Sequence, residues 1–114
     1  MNLVVLKGNI VNDLELKKHG DLSVVKFNLA VNRNKEVTDF IPVAVFGKLA
    51  ENTVKYCMKG SKILLRGSLR ISSYMDKENN KRYATEVLVD AYQGVEFLSS
   101  PKIEIDEEQF REVK

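Results

Sequence analysis

The sequence predicts an all-β protein: a five-stranded Greek-key barrel with one helix between the third and fourth strands. Three observations predict it. Apolar residues recur with period two in several stretches, as in strands with one buried face. Turn-forming residues, such as Asn12-Asp13 and His19-Gly20-Asp21, separate those stretches. Only one segment, about Lys48 to Met58, carries helical spacing.

Leu3 to Val11 reads as the first strand, with Gly8 as a bulge or a point of close backbone approach. Leu14 to Lys17 alternates and forms a small hairpin with the next strand through the His19-Gly20-Asp21 turn. Leu22 to Asn32 is a long strand. Val25, Phe27, Leu29 and Val31 share its core face, and Lys26, Asn28, Ala30 and Asn32 share the other. A short polar connection, Arg33 to Glu36, leads into the strand Phe40 to Phe46. In the helix, Leu49, Thr53 or Val54, and Cys57 fall on one side. Tyr56 lies near Leu49 and Thr53 as a packing residue, and Gly60 stands where a C-terminal glycine cap belongs. Ile63 to Tyr74 and Arg82 to Val89 are further strands around the polar loop Met75 to Lys81. Tyr83, Thr85, Val87 and Val89 share one side of the second, and Val95 to Leu98 completes the sheet after Gly94. The order strand-strand-strand-helix-strand-strand is that of the OB-fold. Residues 1–99 are expected to form this domain and residues 100–114 a short, flexible acidic tail.

Two strands carry the candidate site. From Phe40 to Phe46, Ile41, Val43 and Val45 take one face, while Phe40, Pro42, Ala44 and Phe46 take the other. From Ile63 to Tyr74, Ile63, Leu65, Gly67, Leu69 and Ile71 oppose Lys62, Arg66, Arg70 and Tyr74. Rings beside cations suit an unpaired polynucleotide, because bases stack on rings and phosphates meet ammonium and guanidinium groups. Against this stands a plainer reading: Phe on a strand is most often core, and Lys or Arg opposite an apolar face keeps a strand soluble. The repetition of the same division on both strands favours the first reading, provided that the two faces share one surface.

The 114 residues suffice for one domain, and 44% hydrophobic content suffices for one core. No stretch reaches the ~20 apolar residues of a membrane span. The N-terminal apolar run is too short for a secretion signal, so a cytoplasmic location is expected. The single cysteine, Cys57, forms no internal disulfide and reads as a small buried residue. Net charge is +2, with five acids and three bases between Ser100 and Lys114, so the body is mildly basic and the end acidic.

Four segments in register resemble the bacterial and phage single-stranded-DNA-binding proteins. They are Leu29-Ala30-Val31-Asn32-Arg33-Asn34; Phe46 to Asn52 followed by Tyr56 to Ser61; Gly67-Ser68-Leu69-Arg70 with Tyr74; and Tyr83 to Val87. The resemblance covers about residues 2 to 98. It implies an OB-fold protomer in a homotetramer that binds single-stranded DNA without regard to sequence, in replication, recombination and repair. Phe40 and Tyr74 fall where the family has stacking tryptophans, and Phe46 falls on its stacking phenylalanine. Lys48, Lys59 and Arg70 lie within matching motifs as phosphate contacts; Lys62 and Arg66 join them by face. The chain departs from the family in having no Trp, no aromatic near Lys35, and a short Lys35–Asp39 connection. Its tail has Asp106-Glu107-Glu108 and Phe110 but lacks the acidic Pro-Phe ending that recruits replication proteins in the family. A short, phage-like or accessory member fits these departures.

An enzyme is not expected. His19 sits in a turn, there is no zinc-spaced cysteine-histidine cluster, and no glycine-rich phosphate loop opens a helix. No metal or cofactor is expected. The alternatives are a protein-interaction module of primosome-accessory type, with Phe40 and Phe46 in a partner interface, and an RNA-binding OB module.

Overall fold

A computed structural model of the chain describes residues 1–90 and 94–99. Seven strands and one helix follow one another: β1 (Val4–Ile10), β2 (Lys17–His19), β3 (Leu22–Asn32), β4 (Thr38–Phe46), α1 (Gly47–Tyr56), β5 (Lys62–Met75), β6 (Lys81–Val89) and β7 (Val95–Ser99). The sheet order β1-β3-β4-β6-β5 returns to β1 through a second pairing of β1 with β5, so five strands close a ring. The other two, β2 on β3 and β7 on β5, extend its edges beyond the five strands of the barrel.

Closure depends on β1 serving two partners. Val4 to Asn9 pair with β5, and Asn9 and Ile10 pair with β3. The crossing falls at Gly8, where an added Cβ would lie 2.2 Å from the Ala30 carbonyl oxygen. No other residue fits so close an approach of two backbones.

Inward positions of the ring, among them Ile10, Val25, Leu29, Val43, Val45, Ile63, Leu65 and Val87, form one buried cluster. Each large side chain there stabilises the fold by about 1.5–3 kcal/mol. The helix closes one end with Ala50 and Thr53 buried and Leu49 and Val54 packed on the cluster. Thr53 satisfies its hydroxyl within the helix by donating to the Leu49 carbonyl at 2.7 Å.

The other end stays open. The parallel ladder between β4 and β6 contains only Val43–Val87 and Ala44–Leu88. It stops beside Pro42, which has no N–H to donate. Beyond that point β3–β4 and β5–β6 continue as separate hairpins, the second paired to its tip at Met75 and Lys81. Each tip is fastened by its own side chains. Arg33 donates from Nε and Nη2 to the two carboxylate oxygens of Asp39, at 3.1 and 2.6 Å. Asp76 Oδ1 accepts from the Glu78 and Asn80 backbone, and Asp76 Oδ2 accepts from Arg82 Nε.

Several expectations change. Leu14 to Leu16 are not in a strand; Leu14 and Leu16 instead pack on the core cluster, and the paired residues are Lys17–His19. The helix ends at Cys57 in extended backbone, so Gly60 is not its cap. Gly60, with φ 94°, belongs to the following turn, where its N–H donates to the Ile10 carbonyl. Tyr56 lies largely outside the core, its ring 5.9 Å from that of Phe97 on β7. Leu69, Ile71 and Tyr83 have core parity yet are exposed, because the hairpin carries them past the end of the barrel. Ala44 has outer parity yet is fully buried, its short methyl shaded between the neighbouring Lys26 and Leu88. The expected tail, 100–114, lies outside the described residues.

Candidate nucleic-acid interface

Residues paired across strands share a face, so the register decides whether the two candidate faces meet. On β4, Phe46, Ala44, Pro42 and Phe40 stand beside Val24, Lys26, Asn28 and Ala30 of β3. Ala44 also stands beside Leu88 of β6, and Leu88 beside Ser68 of β5. Through β6 the outer faces of β4 and β5 are therefore one surface. Arg70 lies opposite Glu86 and Tyr74 opposite Arg82 on that same surface.

The rings differ in accessibility. Phe40 is 62% exposed and Tyr74 54%, both toward the open end. Phe46 is half-buried at the other end, where the backbone enters α1 with Gly47 at φ 72°. Six residues of strand separate Phe40 from Phe46, about 20 Å. Between them only Pro42 and Ala44 project, which leaves the middle of the strand low. Phe27, one strand over and inward, is 4% exposed, as its parity with the aliphatic residues predicts.

The cations divide by type. All four arginines among the described residues are ion-paired: Arg33 with Asp39, Arg66 with Asp90, Arg70 with Glu86 and Arg82 with Asp76, at 2.6 to 3.0 Å. No lysine among the described residues is in such a pair. Lys48 opens the helix next to Phe46, and Lys59 lies in the turn after it; both are exposed. Lys62 is exposed as well, but on the half of β5 flanked by β1 and β7 rather than by β6. It thus stands around the barrel from Phe40 and Tyr74. Exposed ion pairs contribute only about 0–1 kcal/mol, so Arg66 and Arg70 are able to exchange a carboxylate for a phosphate.

Three titrating groups are displaced from their ordinary values, the first being the Arg33 guanidinium, raised by its hydrogen bond to Asp39. The backbone N–H of Asn80 and the Arg82 guanidinium hold the Asp76 carboxyl below the usual carboxylate range. Burial pushes the Cys57 thiol up to about 11, which makes it a packing residue and not a nucleophile at neutral pH. The described residues contain no cluster of His, Cys, Asp or Glu able to hold a metal ion. Among them no helix is long and apolar enough to cross a membrane.

Sequence reasoning missed Lys26, Asn28 and Glu86, which lie on the same outer surface. The alternation of β3 places Lys26 and Asn28 opposite Phe27, and a hairpin between β3 and β4 would have carried them next to the rings. For Glu86 the alternation of β6 and the β5–β6 hairpin place it opposite Arg70, but its approach to β4 needed the β4–β6 pairing, which joins segments more than forty residues apart.

A closed five-stranded ring in the order β1-β3-β4-β6-β5, with a helix across one end between its third and fourth strands, defines an OB barrel. Residues 1–98 match the single-strand binding protein family, and the chain belongs to it. It is similar to a single-stranded DNA-binding protein of Onion yellows phytoplasma, with 41% identity over 104 residues covering 88% of this chain and 96% of that one. Similarity extends to single-stranded DNA-binding protein 3 of Clostridium acetobutylicum, 37% identical over 117 residues, covering 96% and 81% of the two chains. The single-stranded DNA-binding protein of Clostridium tetani is 41% identical over 104 residues, covering 85% and 72%.

Proposed function

We propose that this protein binds single-stranded DNA with little regard to sequence and protects it during replication, recombination and repair. The observation that carries the proposal is the single outer surface joining β4, β6 and β5, on which Phe40, Phe46, Tyr74 and Arg70 all lie. Bases stack on the three rings. Lys48 and Lys59, with Arg70 after exchange of its acid, neutralise phosphates and release condensed counterions. Lys62 and, after leaving Asp90, Arg66 lie on the part of β5 beside β1 and serve a strand that continues around the barrel. The protein makes and breaks no covalent bond in this role, and it acts in the cytoplasm.

The protomer assembles into a homotetramer. In support, Leu3 and Val5 are exposed at the start of β1, and the β1 edge away from β5 is unpaired from Val4 to Gly8 among the described residues. An open edge with apolar flanks suits pairing with a second copy. Recruitment of replication proteins would fall to the acidic segment around Asp106-Glu107-Glu108.

Titration with single-stranded homopolymers at several salt concentrations, followed by tyrosine fluorescence, tests the proposal. Expected are a quench from Tyr74 and a log affinity that falls linearly with log salt, with a slope of about −0.7 per phosphate contacted. Loss of the oligomer rather than of DNA affinity in Phe40→Ala would assign that ring to a subunit interface and sink the stacking role.

A further inference from the structure

Midway between the rings lies an open cleft of about 310 Å³, lined by both polar and apolar residues, that stacking and phosphate contacts leave unused. Pro42, Val43 and Phe27 line it, with Asn28, Lys26 and Asn12 on one flank and Glu86 on the other. The register explains the layout. Asn28 stands beside Pro42 on β3, and extending the Val43–Val87 pairing by one residue brings Glu86 beside Pro42 on β6. Adjacent strands lie about 4.8 Å apart, so the two flanks are separated by roughly 10 Å. That is the width of a base hydrogen-bonded on both edges while lying flat on the proline ring.

The groups around the cleft are fixed and partly free. Asn12 Oδ1 accepts from the Asn28 backbone N–H at 2.6 Å, which ties the β1–β2 connection to the flank. Glu86 Oε1 accepts from Arg70 Nη2 at 2.6 Å, while Oε2 accepts no hydrogen bond among the described residues. While that pair holds, Arg70 offsets the charge of Glu86 on a surface meant for a polyanion, and Oε2 is left for another donor. Lys26 is in no ion pair among the described residues, and it offers donors only.

We propose that this cleft is a base-edge subsite selecting a base with an exocyclic amino group, cytosine being the smallest, over thymine. The inference rests on the single-stranded DNA reading above. Cytosine presents its N4 amino group to Glu86 Oε2, a pairing that carboxylates make with this base. Its O2 accepts from Asn28 or Lys26 on the opposite flank. Thymine places the O4 acceptor where the amino group would be, against a carboxylate. Binding therefore tolerates all sequences through the rings but is tuned at one position per protomer.

The test compares short oligo-dC and oligo-dT on the full chain, wild type against Glu86→Gln and Asn28→Ala. The amide introduced by E86Q can donate to O4, so this variant shifts the dC-to-dT affinity ratio about five- to tenfold toward dT. Freed Arg70 strengthens both oligonucleotides alike and leaves that ratio untouched. N28A weakens both pyrimidines without changing the ratio, because both present O2. Retained dT binding by E86Q shows that the variant is folded. An unchanged ratio in E86Q with both oligonucleotides still bound overturns the subsite alone. Failure of the wild type to bind either one overturns the DNA reading itself.

Discussion

At the end closed by α1, inward residues of β3, β4 and β5 are sealed: Val25, Val45, Ile63 and Leu65 are at most 1% exposed. At the open end β5 and its partner β6 keep the same alternation, yet Ile71 is 61% exposed and Leu69 and Tyr83 are exposed with it. The two regions share a sheet and differ in what lies across it. Near the helix an inward side chain meets α1 and the opposite wall; past Pro42 it meets water. Parity is a property of one strand, whereas burial needs a second layer. The same contrast separates the two kinds of work: the closed end holds the fold, and the open end offers rings and a cleft.

Paired substitutions make the contrast measurable. Leu29→Ala leaves a cavity in the sealed cluster and should lower unfolding stability by about 2–5 kcal/mol. Ile71→Ala on the open hairpin should stay within about 0.5 kcal/mol. Urea midpoints at several protein concentrations check both. A large, concentration-dependent loss from Ile71→Ala would mean that a second copy covers the hairpin, and the open end would not be open. The phenylalanines extend the test. Phe27→Ala should cost about 3–5 kcal/mol of stability. Phe40→Ala should leave stability alone and remove about 1–3 kcal/mol of DNA binding.

The sequence made the closed end far more legible than the open one. Period-two alternation gave Val25, Phe27, Leu29, Ile63 and Leu65 their inward places, and Gly8 its close approach, because each depends on local pattern and a tight backbone contact. The same alternation grouped Leu69, Ile71 and Tyr83 with the core residues, yet they are exposed, because alternation says nothing of where the barrel stops. That depends on Pro42 ending the short β4–β6 ladder, a pairing between distant segments. For the site, the faces of β4 and β5 were readable, but their union through β6 was not. Nor was the state of the cations: Arg66 and Arg70 look like Lys48 in a sequence until their partners Asp90 and Glu86 are brought beside them. Helix termination was misread for a similar reason, since Gly60 answers to Ile10 across the fold rather than to the helix before it.

That division of cations supplies a finer test of the two ends. Lys48, near the helix and in no ion pair among the described residues, is able to meet a phosphate directly. Lys48→Ala should reduce the salt slope of DNA binding by about 0.7 for one phosphate lost. Arg70, toward the open end, must first leave Glu86, so Arg70→Ala should change the slope less while exposing an uncompensated acid in the cleft. Equal slopes for the two variants would show that the Arg70–Glu86 pair opens freely when DNA binds.

The smallest expected effect concerns the tip of the open hairpin, where Asp76 gathers two backbone N–H groups and Arg82. Those contacts favour the ionised carboxyl, so its folded value lies below its unfolded one. A group with that sign binds fewer protons folded than unfolded in the window between the two values. Its stabilisation is present in full above the unfolded value, about pH 4, and is lost as pH falls through the lower, folded one. Asp76 is only partly covered and its partner Arg82 is exposed, so solvent screening keeps the contribution small. The closed end has no comparable group among those whose titration is displaced, since Cys57 changes charge only near pH 11. Thermal unfolding of wild type and Asp76→Asn should therefore differ slightly at pH 7 and converge as pH drops below about 4. Amide exchange at Glu78 and Asn80 should rise in the variant while that of Leu29 and Ile63 stays fixed. Faster exchange throughout the barrel would show that the hairpin tip and the sealed end unfold together, and the distinction between the two regions would fail.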